Sequence, residues 1–223
     1  MPDRPIIFSA PMVRALLDGR KTQTRRILNP QPELFPIDEK GTLCTVSAMQ
    51  VDGDDHHRVA LGSEKAGVLT TQRIRYGIGD RLYVREAWSH TGVGVWSIGQ
   101  ARMAAHSNGH PIYRATDKAD AGTKFWPSIH MPREFSRLTL IVEGVKVERL
   151  QGISEADAQA EGVAKLSWDG EGHWFEDDVA GTFRCGFAGI WQHLHGPDSW
   201  DANPFVVALT FRVVHGNIDR IPA

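Results

Sequence analysis

Cysteine is scarce in this chain. Only Cys44 and Cys185 occur among 223 residues, far apart and outside any C-x-x-C pair. A disulfide framework and a cysteine-built zinc site are thereby disfavoured, and two reduced thiols are expected. Long apolar runs are also lacking. No stretch reaches the roughly 18 apolar residues of a membrane span. No apolar signal core follows Met1-Pro2-Asp3-Arg4-Pro5, so the expectation is a cytoplasmic protein. A surplus of positive charge is missing too: the net charge is −2 and the pI about 6.5. Proteins that track long nucleic acids draw most of their affinity from phosphate neutralisation and are usually basic. Any nucleic-acid contact here should be local, or the ligand should be as small as a nucleoside. No phosphate-loop pattern G-x-x-x-x-G-K-[ST] and no G-x-S-x-G elbow occurs, which disfavours ATP use and serine hydrolysis of that type. No cofactor is expected.

The ten histidines do not cluster as ligands. His106-x-x-x-His110 lies in a Ser-Asn-Gly stretch, and a helical His193-x-His195 would splay its rings roughly 200° apart. No metal is expected.

The composition is otherwise that of a folded protein: 41% hydrophobic and 23% charged residues argue against global disorder. Ile6-Ile7-Phe8 reads as a buried strand. Ser9 then caps a helix with Pro11 in its first turn and Met12, Ala15 and Leu16 on one face. Gly19 stands where a left-handed cap is expected. Arg81 to Trp88 alternates like a strand, as does Arg137 to Val147. Ser154-Glu155-Ala156-Asp157 resembles a capping box for a short helix ending near Gly162. Phe187, Ile190, Trp191 and Leu194 make the stripe of a core-facing helix over 183–195, stopped by Gly196-Pro197. Phe205 to Val214 is the strongest strand. The sum, about five or six strands and three short helices without strict alternation, predicts an α+β fold rather than a doubly wound sheet. We expect one domain over 1–223, with insertions at about 40–75, 90–125 and 166–182 and a short strand near Tyr113.

The densest chemistry lies in Gly19-Arg20-Lys21-Thr22-Gln23-Thr24-Arg25-Arg26. Between Arg14 and Arg26 there are five cations and one anion, Asp18. A solvated helix end would explain such a cluster, because cations favour that end of the dipole. A phosphate or anion site is the functional alternative, with arginine forks and lysine as a point charge. In an extended segment Thr22 and Thr24 would share one face, and Lys21 and Thr24 would meet around a ligand.

Leu17-x-Gly19-Arg20-Lys21-Thr22-x-Thr24-x-Arg26 resembles the signature of the ASCH domain family. Gly79-Asp80-x-Leu82-Tyr83-Val84-Arg85-Glu86-x-Trp88 is similar to that family's second element. Ile153-Ser154-Glu155-Ala156-Asp157-Ala158-x-x-Glu161-Gly162 is similar to its helix. The match covers about half the chain, and the long form resembles members encoded in prophages. The resemblance implies a PUA-like fold: a small mixed β-barrel with short helices packed around it and long loop insertions. It also implies binding of RNA or modified nucleotides. Within the motif the chain resembles the bacterial acetylcytidine amidohydrolases, whose catalytic lysine, threonine and glutamate match Lys21, Thr24 and Glu161. Amide hydrolysis needs a nucleophile or activated water, a base and an oxyanion stabiliser. In this reading Thr24 supplies the hydroxyl, Lys21 is the base and Glu161 orients the lysine or returns the proton.

Arg20, Thr22, Arg26, Arg85, Glu86, Trp88, Ser128 and His130 are the expected substrate or nucleic-acid contacts. Ser128 and His130 enter because Trp126-Pro127-Ser128-Ile129-His130-Met131-Pro132-Arg133 fixes its backbone between two prolines, as ligand-presenting loops do. Tyr83, Trp88 and Trp126 are candidates for stacking on a base. Two other functions fit the same residues: a non-catalytic reader of RNA or modified DNA, and a ribonuclease in which Lys21 stabilises the phosphorane while Glu161 or His130 moves the proton.

Overall fold

The computed structural model describes residues 3–32, 47–50, 58–63, 67–90, 97–107, 111–119, 122–169 and 173–221. In chain order the first elements are β1 (Arg4–Ile7), α1 (Ala10–Leu17), β2 (Gln23–Ile27), β3 (Ser47–Gln50), β4 (Arg58–Ser63) and β5 (Gly67–Arg73). Next come β6 (Arg81–Arg85), β7 (Trp88–Ser89), α2 (Ile98–Ser107), β8 (Ile112–Tyr113) and β9 (Leu138–Arg149). The last are α3 (Glu155–Ala160), β10 (Leu166–Trp168), β11 (Trp174–Glu176), α4 (Phe183–His195) and β12 (Phe205–His215). The protein is therefore mixed α+β, with four helices among the described residues.

Five strands hydrogen-bond in the order β1-β6-β9-β12-β2. The β1–β6 pair is parallel, whereas β6–β9 and β12–β2 are antiparallel. Among the described residues β1 and β2 end the sheet and do not pair. Among the described residues the sheet is open, and the expected barrel is not found there. Alternation within a strand reports which faces are buried but says nothing about closure, so this difference was not legible in the strand pattern.

The chain divides into two compact units, Met1–Arg20 with Asp80–Ile141 and Arg212–Ala223, and Lys21–Gly79 with Val142–Phe211. In the first, Leu82 and Val84 of β6 and Leu138 and Leu140 of β9 are buried. A core of Trp88, Ala101, Ala105, Met131 and Phe135 packs around α2. That helix lies in the stretch expected to be an insertion; only its small alanines turn inward, so it carried little amphipathic signal. On α1 the buried residues are Val13, Ala15 and Leu16, and Met12 is half-buried.

In the second unit α3 and α4 bury Ala158, Phe187 and Trp191 against Leu150, Ile153 and Val206. Thr182 caps α4, its hydroxyl accepting from the Cys185 amide at 3.1 Å. The first five residues of β12, Phe205 to Leu209, are all buried, as an inner strand's continuous apolar run requires. The remaining sheets are a β3-β4-β5 meander and a β10-β11 hairpin, both in stretches expected to be insertions, and the β7-β8 pair, which places a strand at Tyr113.

Candidate functional site

Gly19 adopts the left-handed backbone, φ 71°, that ends α1, and the chain then enters the second unit. Thr22 donates its amide to the Ala160 carbonyl at 2.8 Å and accepts from the Phe211 amide at 2.9 Å. Lys21 forms an isolated bridge with Glu161. Glu161 itself is the C-terminal cap residue of α3, followed by Gly162 at φ 78°. These two helix ends deliver Lys21 and Glu161 to each other across 140 positions of sequence.

Both side chains leave water: Lys21 is 1% and Glu161 4% exposed. The Lys21 Nζ donates to Glu161 Oε2 and to the Glu161 carbonyl, each at 2.8 Å. Arg25 takes the other carboxylate oxygen, its Nη1 donating to Glu161 Oε1 at 3.1 Å. Its Nε and Nη2 both donate to Glu148 Oε1 on β9, at 3.0 and 2.8 Å. Lys146 Nζ sits 2.6 Å from the second Glu148 oxygen, and Gln23 Nε2 donates to Asp157 Oδ1 at 2.9 Å. Asp157 Oδ2 lies 3.4 Å from Arg25 Nη2. Lys21, Arg25 and Lys146 thus face Glu161, Glu148 and Asp157, three cations against three carboxylates. Lys21, Arg25 and Glu161 are buried and Glu148 nearly so, Asp157 is partly exposed and Lys146 reaches in from solvent. The pairing makes burial of the four inner charges tolerable.

Burial pushes the Lys21 ammonium below the usual lysine range; the Glu161 charge and hydrogen bond oppose this, and Arg26 and Arg25 add to it. The amine is therefore easier to deprotonate than an exposed lysine, and an acceptor for its proton stands 2.8 Å away. Arg26 is half-buried. Desolvation lowers its pKa, against the pull of Tyr76 and Glu161, but it remains a cation. Thr24 is buried at 4% exposure and registers with Leu209 of β12. Alternation in β2 turns it away from the face that Gln23 and Arg25 present to α3. Thr22 precedes the strand and is exposed, so the two threonines do not share a buried face.

Six of the expected contacts belong to the first unit. Arg20 is exposed and pairs with Asp18 at 3.0 Å. Arg85 Nε donates to the Met131 carbonyl at 2.8 Å. Glu86 is 1% exposed and held by Arg137 through both oxygens, at 2.8 and 3.0 Å. Burial raises its pKa despite the Arg137 fork. Trp88, expected at a ligand, is fully enclosed, edge-on to Phe135 at 5.2 Å. Ser128 is half-buried and His130 exposed on one turn of 3-10 helix. Lys21, Thr22, Thr24, Arg26 and Glu161 belong to the second unit.

Arg25, Glu148, Asp157 and Gln23 were not singled out from the sequence. The signal was there in two periods. Residues 21, 23 and 25 recur every two positions, and Asp157 and Glu161 are four apart on a helix. Two strand residues advance about 6.7 Å and four helical residues about 6 Å, so such sets match in spacing. Among the described residues no group of three His, Cys, Asp or Glu side chains could hold a metal ion. No family model, no curated protein and no solved structure matches this chain.

Proposed function

We propose that Lys21 and Glu161 form the acid–base pair of an ASCH-type, PUA-like protein that hydrolyses the amide of an acylated cytidine-class nucleoside. One observation carries the reading: a buried lysine, its pKa lowered, sits 2.8 Å from a buried carboxylate. Lys21 as the free amine takes a proton from an attacking water, because Thr24, the hydroxyl expected there, faces the other side of β2. The oxygen adds to the amide carbonyl, and Arg26 is the cation assigned to the oxyanion. The Lys21 ammonium then returns the proton to the departing exocyclic amine of the base, and Glu161 holds Lys21 in place throughout. The products are cytidine and the carboxylic acid. The low net charge favours a small substrate over a long strand, and the absence among the described residues of a helix able to span a membrane is compatible with a cytoplasmic setting.

A second reading has its own observation. Lys21 already donates twice to Glu161, and a pair so engaged also suits a rigid wall in a reader of modified bases.

Incubation of the purified protein with acetylcytidine, following the ultraviolet change as cytidine forms, separates the two. The amidohydrolase reading expects turnover that disappears in a folded Lys21→Met variant. Undiminished turnover in that variant sinks the pair. Binding without turnover transfers the site to the reader.

A further inference from the structure

The first unit contains a cavity of about 530 Å³, within the usual range of small-molecule pockets. Ala105, Pro111 and Phe135 are its apolar lining, and Arg137, His215 and Arg220 are the lining residues with nitrogen donors. Arg137 is the most constrained of these. Its Nε and Nη2 donate to the two Glu86 oxygens, and its Nη1 donates to Thr116 Oγ1 at 3.0 Å. Its guanidinium lies over the Tyr113 ring, 4.0 Å from the centroid. A guanidinium has five N–H groups. Three are engaged, and the two left, one on each terminal nitrogen, have no partner among the described residues. The fork is thus fixed in place with one donor unspent on each prong.

The other donors are unspent too. Neither the His215 nor the Arg220 side chain makes an ion pair or hydrogen bond among the described residues. The carboxylate in the lining, Glu134, is already occupied: Arg102 Nε donates to it at 2.9 Å and His106 Nε2 lies 3.3 Å away. The floor is also set before any ligand arrives. The Asn217 amide donates to the carbonyls of Arg133 and Ser136, at 2.9 and 2.8 Å, and the Gly216 amide to that of Arg137 at 2.9 Å. Preformed donors without an internal acceptor suit an oxyanion, and guanidinium forks suit a phosphoryl group. A bare phosphate would leave the apolar lining uncovered.

We propose that this cavity binds a small phosphate monoester. Arg137, His215 and Arg220 take the phosphoryl oxygens, and the organic group lies against Ala105, Pro111 and Phe135. The proposal stands apart from the Lys21 site.

The test is calorimetric titration of the full chain with phenyl phosphate, inorganic phosphate and phenol. Phenyl phosphate should bind at one site per chain with a Kd below millimolar. Inorganic phosphate should bind about tenfold more weakly, and phenol not measurably. Arg220→Ala, at an exposed position, should weaken phenyl phosphate about tenfold without moving the melting temperature. Arg137→Lys should weaken it at least as much. Lys21→Met should leave the affinity unchanged, so failure of the amidohydrolase reading would not touch this one. No saturable binding at millimolar phenyl phosphate, or unchanged affinity in Arg220→Ala, overturns the site, and the latter decides it even if Arg137→Lys does not fold. Equal affinity for inorganic phosphate overturns the ester assignment.

Discussion

Arg25 carries more of the second unit's buried charge than Lys21 does. It touches three carboxylates, Glu161, Glu148 and Asp157, and Lys21 touches Glu161. Replacing Arg25 with methionine leaves Glu148 with Lys146, Glu161 with Lys21, and Asp157 with only neutral hydrogen bonds. Removing one partner of a buried pair costs about 3–5 kcal/mol, and Arg25→Met should fall in that range. Lys21→Met leaves Glu161 its Arg25 bond and should cost less, below about 3 kcal/mol. Urea unfolding of the two variants ranks them; the reverse order would mean that Lys21, not Arg25, anchors the network. Glu86 makes a prediction of its own in pH. Burial raises its folded pKa above the usual 4.5, against the Arg137 fork. The folded state then binds more protons than the unfolded state between those two values, so stability falls as pH rises through that window. Relative to Glu86→Gln, the wild type should be most favoured in acid, lose ground from pH 4.5 upward and level off above the folded pKa. A difference that grows with pH would show that the Arg137 fork outweighs burial.

The fit between elements is tightest where α4 passes the chain after α3. A Cβ built on Gly186 would lie 1.9 Å from the Ala164 carbonyl oxygen and 3.3 Å from Val163. Gly to Ala inside a helix normally stabilises, by about 0.5–1 kcal/mol. Here the obstacle is backbone, which cannot rotate aside, and overpacking of this kind costs about 1–3 kcal/mol or more. Gly186→Ala should therefore lower the thermal midpoint, and a raised midpoint would show that α4 does not approach residues 163 and 164 this closely. The same helix shows what the sequence made legible. Phe187 and Trp191 announce its buried face and Gly196-Pro197 its end, so a helix over about 183–195 was readable, although Leu194, expected on the same stripe, is exposed. β12 was readable for a similar reason. Its apolar residues run without a break where both faces are covered. Open closure of the sheet was not readable, because pairing partners are set by tertiary contacts that alternation does not encode. Trp88 looked available for stacking because an aromatic facing a basic patch can stack on a base. Its enclosure depends on Met131 and Phe135, more than 40 positions away. Lys21 and Glu161 were paired only through the family resemblance, since nothing local in a glycine-terminated helix points to a lysine so distant in sequence.

Across the whole molecule, 25 basic residues stand against 27 acidic ones, and the basic motif does not escape that balance. Lys21 and Arg25 spend their charge on internal carboxylates, and Arg20 shares its own with Asp18. Arg26 is half-buried. A single strand of RNA laid on such a protein would displace few counterions. The observed binding constant should then fall with salt with a log–log slope of magnitude below about 2, because each neutralised phosphate contributes about 0.7. Short RNA oligonucleotides titrated at several salt concentrations would measure it, with a nucleoside as the uncharged reference. A shallow slope, with nucleoside affinity close to that of the oligonucleotide, is what a site for one base or one nucleoside requires. A slope several times steeper would mean that a continuous cationic track exists despite the charge balance, and the small-ligand reading of the motif would fail with it.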